Sequence, residues 1–200
     1  MGTHCSLFNY SSDSSLVSAY QTTEELLVEL AGSRGLVLRK FDINQDNTVD
    51  IYKMFKISHH EDGTVLGEYL VRTDTDINHD GKIDVTRIFD DEEQLSEETI
   101  DLDFDGTIDT RSFYVNGKIN KKEVDINYDG IPDLIQKYEG GKLRVIESDQ
   151  SGDGQVDTWE YFEKDVLDRI GKDIDADGKV DIWERVAPAL EEEEDDGESD

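Results

Sequence analysis

Aspartates recur along this 200-residue chain in a fixed nine-residue figure: Asp, any residue, Asp/Asn/Ser, any, Asp, Gly or once Asn, any, an apolar residue or once Pro, Asp. The six copies begin at Asp42, Asp76, Asp101, Asp125, Asp149 and Asp173. Oxygen-bearing side chains therefore stand at positions 1, 3, 5 and 9 around a bend at position 6. A hard cation such as Ca2+ takes about six to eight oxygen ligands at about 2.3–2.6 Å, and a short segment supplies them by curling around the ion. Glycine at position 6 permits the sharp turn, and the residue at position 7 turns its carbonyl toward the metal. In the first copy Asn47 takes the glycine place, and in the fourth Pro132 takes the apolar one; these are the less regular copies.

The ligand set predicted from this spacing is Asp42, Asn44, Asp46 and Asp50 in loop one, then Asp76, Asn78, Asp80 and Asp84 in loop two. Loop three offers Asp101, Asp103, Asp105 and Asp109, and loop four Asp125, Asn127, Asp129 and Asp133. Loop five offers Asp149, Ser151, Asp153 and Asp157, and loop six Asp173, Asp175, Asp177 and Asp181. An EF-hand loop adds a bidentate Glu at position 12. Only loops five and six have it, as Glu160 and Glu184, whereas Lys53, Arg87 and Gln136 stand there in loops one, two and four. The expectation is up to six Ca2+ ions, with the last two loops filling first. Asp, Asn and Gly are also turn residues, so a single copy would read as well as a solvated turn. Repetition decides between the two: position 9 is Asp in all six copies, and the last four intervals are 25, 24, 24 and 24 residues.

Composition points the same way. Hydrophobic residues make up 35 % of the chain, too few for a large conventional core, and the formal net charge is -30. The loops hold 20 of the 50 acidic residues. Six bound Ca2+ ions would bring the charge to about -18. Such a balance disfavours nucleic acids and anionic membranes, both polyanions, as direct partners. One cysteine, Cys5, cannot form an intramolecular disulfide, so metal must do whatever stapling the fold needs. No apolar run is long enough to span a membrane. Cys5 followed by Ser6, Asn9, Ser11 and Ser12 fits the lipid-anchored tether of a processed lipoprotein, or else an incidental thiol in a polar leader.

The elements that must position the loops follow from what lies between them. Residues 1–21 form a polar leader, and 22–40 a short helix and an entering strand. Thr22 and Glu25 have capping-box spacing, which predicts a helix over about 22–31 whose Leu26, Leu27 and Leu30 face the first repeat. From 41 to 187 each repeat leaves its loop as a β segment, turns, and returns to the next loop. Asp62-Gly63, Asn116-Gly117 and Gly140-Gly141 supply the turns. The fold class predicted is mainly β: an elongated antiparallel array of about 11 strands in hairpins joined by metal loops. In repeat five, Trp159, Phe162, Val166 and Ile170 would also share one face of a helix, which leaves loop-plus-helix as the alternative there. Residues 188–200, with eight acids between Glu191 and Asp200, form an acidic disordered tail.

On these loops, and on segments such as DGQVDTWEYF and DADGKVDIWERV, the chain resembles bacterial secreted and surface proteins, often lipoproteins, built from calcium-loop repeats. The loops are also similar to thrombospondin type 3 repeats. The resemblance covers about three quarters of the chain, residues 42 to 186, and implies calcium, an extracellular or bacterial cell-surface location and a structural or adhesive role with a protein or cell-surface partner. The expected function is a noncatalytic module whose folding depends on Ca2+. Two alternatives use the same residues: an intracellular EF-hand-like buffer or sensor built on loops five and six, and an acidic decoy that occupies a basic protein's site. Catalysis is not expected, because the carboxylate spacing is accounted for by ligation, and His4, His59, His60 and His79 read as solvated.

Overall fold

The structure is a computed structural model that describes residues 22–186. The leader with Cys5 and the acidic tail lie outside the described residues. A capping box starts α1 (Thr23–Ser33), the one helix among the described residues. The Glu25 amide donates to Thr22 Oγ1 at 3.2 Å, and the Thr22 amide donates to Glu25 Oε2 at 2.9 Å. This satisfies two of the amides that a helix start leaves without partners.

Twelve strands follow, one more than the sequence suggests: β1 (Val37–Phe41), β2 (Ile51–His59), β3 (Val65–Thr75), β4 (Val85–Phe89), β5 (Leu95–Ile100) and β6 (Thr110–Val115), then β7 (Lys118–Val124), β8 (Leu134–Glu139), β9 (Lys142–Ser148), β10 (Thr158–Glu163), β11 (Val166–Lys172) and β12 (Ile182–Arg185). They form a single sheet in sequence order, each antiparallel to the next. Connections alternate between two kinds, so all six metal-type loops gather at one end of the strands and the tight turns at the other. Asn116-Gly117 and Gly140-Gly141 have positive φ at both residues, the geometry that matches a two-residue turn to strand twist.

Repeat five is a hairpin, and the helical alternative is set aside. Lys164 and Asp165 both take positive φ, at 52° and 65°, and reverse the chain between β10 and β11. Apolar residues four apart there serve two paired strands rather than one helix face.

The apolar core is small and lies at the N-terminal end. Leu27 and Ala31 of α1 meet Tyr52 and Met54 of β2, with Leu30, Leu36 and Leu38 packed around them, while Leu26 stays exposed. Farther along, buried positions are polar, and the sheet stands on its backbone ladder.

Candidate metal centre at the loop end of the sheet

The six loops share one hydrogen-bond scheme. The position 1 carboxylate accepts the amides of positions 4 and 6: Asp76 takes His79 at 2.6 Å and Gly81 at 2.7 Å, and Asp101 takes Phe104 at 2.7 Å and Gly106 at 2.8 Å. Asp42, Asp125, Asp149 and Asp173 repeat the pattern. Position 9 turns one oxygen onto the amides of positions 2 and 3, as Asp109 Oδ2 does with Leu102 at 2.5 Å and Asp103 at 3.3 Å. Asp50, Asp84, Asp133, Asp157 and Asp181 do the same in their loops. Position 5 accepts the amide of position 7, from Asp46 to Thr48 through to Asp177 to Lys179. A carboxylate oxygen that accepts one amide keeps a second lone pair for a cation, and Asp109, whose Oδ2 accepts two amides, keeps Oδ1.

Two residues per loop adopt left-handed backbone. Position 6 does so as its glycine or Asn47 suggests. Position 4 does so as well, in Gln45, His79, Phe104, Tyr128 and Ala176, at φ between 58° and 65°. Left-handed backbone is costly for such residues, and the bond from each position 4 amide to the position 1 carboxylate holds the loop there. Outside loop five, where position 4 is Gly152, no residue type there marks this in the sequence. The signal is the invariant Asp three residues earlier.

The carboxylates do not converge equally. In loop three, Asp101, Asp103 and Asp109 each place an oxygen within 4.8 Å of the others, and in loop six Asp173, Asp175 and Asp177 do so. These are the two loops with Asp at position 3, whereas loops one, two and four have Asn there and loop five has Ser. Burial and the carboxylates of Asp105, Asp109 and Asp101 push Asp103 above the usual carboxylate range. Asp181 and Asp177 push Asp175 up in the same way. Crowded anions of this kind are what a divalent cation would relieve.

One oxygen marks loop three further. Asp109 is 2 % exposed, and its Oδ1 is a buried atom with no hydrogen-bond partner. A buried carboxylate oxygen left without a partner is costly, so the donor set of this loop fits a hard cation. Asp109 also lines a cavity of about 110 Å³ between loops three and four, with Arg111, Glu123 and Asp125. Arg111 Nε is the other buried unpartnered side-chain atom among the described residues, and its ion-pair partner Glu97 lies 3.6 Å away.

The position 12 glutamates take no part in these clusters. Glu160 stands within β10 and Glu184 within β12, where side chains alternate between faces. Three residues beyond position 9 is an odd step along an extended chain, whereas on a helix it is nearly one full turn. Glu184 accepts two hydrogen bonds from Lys172 Nζ, each at 3.1 Å. Among the described residues the acid clusters follow position 3 and not position 12. His79 is not merely solvated either: its Nδ1 lies 2.7 Å from Asp50 Oδ1 of the preceding loop. That contact, with the neighbouring Asp76 and Asp46 charges, raises the imidazole pKa.

No protein-family model matches the chain, and no curated protein does. Among solved structures, a mutant of S. aureus TarM in complex with fondaparinux, alpha-GlcNAc-glycerol and UDP aligns at 14 % identity and a TM-score of 0.31. The alignment covers 75 % of this chain and 24 % of TarM, so the chain spans about a quarter of that protein's length. A likeness of this size bears on neither fold nor function.

No helix among the described residues is long and apolar enough to cross a membrane.

Proposed function

We propose that the protein is a noncatalytic calcium-binding module of a secreted or cell-surface protein, in which Ca2+ serves as scaffold along one end of a single-layer sheet. The observation that carries this reading is loop three: three converging carboxylates, one of them with a buried oxygen that no protein group satisfies. Asp101, Asp103 and Asp109 would hold one ion, and Asp173, Asp175 and Asp177 another. The remaining four loops share the hydrogen-bond scheme with one acid fewer, and would complete a shell with the position 3 amide or hydroxyl, a carbonyl and water. The bound ion would supply charge neutralisation and cross-linking, and nothing in this reading requires it to activate a substrate.

An extracellular setting suits such loops, because extracellular calcium modules work at dissociation constants of about 0.1–1 mM. The sensor alternative depends on helices beside loops five and six, and strands β9 to β12 flank those loops instead. The test is a circular dichroism melt in 2 mM Ca2+, roughly at or above that range, and again in EDTA. A clear upward shift of the midpoint with calcium supports the module, and superimposable curves overturn it.

A further inference from the structure

The loops are bonded to one another as well as closed upon themselves. At every junction the position 1 amide of one loop donates to the position 9 carbonyl of the loop before it. These bonds run from Asp76 to Asp50, Asp101 to Asp84, Asp125 to Asp109 and Asp149 to Asp133 at 2.8 Å, and from Asp173 to Asp157 at 2.9 Å. No residue stands between the two loops at these points: a predicted ligand of one is hydrogen-bonded, through the main chain, to a predicted ligand of the next. Side chains reinforce two junctions. His79 of loop two contacts Asp50 of loop one, and Lys82 Nζ of loop two donates to the Asp105 carbonyl of loop three at 3.4 Å. The turn end has no comparable main-chain series; there, neighbouring hairpins meet through exposed pairs such as Lys56–Asp91 and Lys142–Asp165.

We propose that a cation bound in one loop raises the affinity of the loops on either side, so that the six fill as a coupled row rather than as independent sites. This rests on the calcium reading above. Filling a loop fixes its position 9 residue, and through the shared hydrogen bond it fixes the position 1 residue of the next loop. A neighbour whose first ligand is already ordered has less freedom to lose on binding. The opposing effect is electrostatic, since each ion weakens the negative potential at the next loop. Adjacent loops are two strands apart, at least about 9.5 Å, and a Debye length of about 8 Å at 0.15 M salt screens much of that. Coupling through direct bonds falls off with each junction, so its signature is dependence on distance along the row.

The position 6 glycine amides, each bonded to the position 1 carboxylate of its own loop, give site-resolved reporters at Gly81, Gly106, Gly130, Gly154 and Gly178. Calcium is titrated into the full chain in 0.15 M salt and followed by amide NMR. The wild type is compared with a variant that disables loop three through the exposed pair Asp103→Ala and Asp105→Ala. The expected result is a loss of about fivefold or more in affinity at Gly81 and Gly130, within the usual range of coupling between sites, and less than about twofold at Gly178. Unchanged or tighter binding at Gly81 and Gly130 overturns the coupling, and an equal loss at Gly178 assigns the effect to global folding instead. A second variant, Asp175→Ala with Asp177→Ala at the end of the row, keeps the test available should the first not fold. It should weaken Gly154 and leave Gly81 unchanged, and any other ranking overturns the proposal. No response at any glycine of the wild type in 10 mM calcium would remove the calcium reading itself.

Discussion

The first repeat and the repeats after it share one strand geometry and differ in what lies beneath it. Around β2, α1 covers the sheet, and Leu27, Ala31, Tyr52 and Met54 are buried together. Past Val85 no apolar side chain among the described residues is buried, and the buried positions include Asp101, Asp109, Thr110, Ser112, Asp125 and Thr158. Burial of apolar surface is the usual source of stability, and a layer without it must rely on its hydrogen-bonded ladder and on whatever neutralises its buried acids. The same hairpin repeat thus continues from an end covered by a helix into a part whose buried positions are polar. The two parts should therefore respond differently to metal.

Calcium removal should produce the largest effect. Two non-adjacent sites held at 100 times their dissociation constant contribute about 2.7 kcal/mol each, roughly 5 kcal/mol in all. Hydrogen exchange in EDTA should therefore lose protection from β6 to β12 while the β2 amides stay protected. Uniform loss along the chain would erase the comparison. Next in size is Met54→Ala, which empties a fully buried site in the helix-covered part. Its expected cost is about 2–5 kcal/mol in denaturant unfolding, with exchange in β10 to β12 little changed.

A smaller change is expected from Asp109→Ala in calcium-free protein, which leaves the Leu102 and Asp103 amides without their acceptor. Loss of these two hydrogen bonds costs about 1–3 kcal/mol, and removal of the unpartnered buried Oδ1 offsets part of it. The matching variant Asp62→Ala at the exposed turn end should cost less, which sharpens the contrast between the two ends of the strands.

The smallest effects concern pH, and here Asp62 at the turn end and Asp175 in loop six differ in sign. The Thr64 hydroxyl and amide hold Asp62 below its ordinary value. Its contribution is therefore present above the unfolded carboxylate value and lost as pH falls through the folded one. Asp175 is pushed up by Asp181 and Asp177, so in calcium-free protein its protonated form favours the fold, and that contribution is lost as pH rises through its folded value. Carboxyl NMR titration should place Asp62 below and Asp175 above the ordinary aspartate value, and added calcium should bring Asp175 down while leaving Asp62 unmoved.

The β array, its hairpin turns and the capped helix were legible because each rests on local chemistry: Asn116-Gly117 selects a turn, and Thr22 with Glu25 selects a helix start. Loop positions were legible from the spacing of Asp42 to Asp50 and its repeats. The ranking of the loops drawn from Glu160 and Glu184 rests on an EF-hand rule that assumes a helix after the loop, whereas this chain continues as a strand. Asp103 and Asp175, the acids at position 3, were visible but carried no special weight until the fold showed which carboxylates converge. The His79 contact with Asp50 and the bonds between loops join residues 16 to 29 positions apart, so no local pattern announced them.

Equilibrium dialysis of the full chain against radiolabelled calcium at about 1 mM free ion, the upper part of the extracellular range, tests the central claim most directly. The expected result is at least two ions bound per chain, matching the clusters in loops three and six, with the number falling when Asp103 and Asp175 are both changed to Ala. A count indistinguishable from zero, or one that the double variant leaves unchanged, would contradict it.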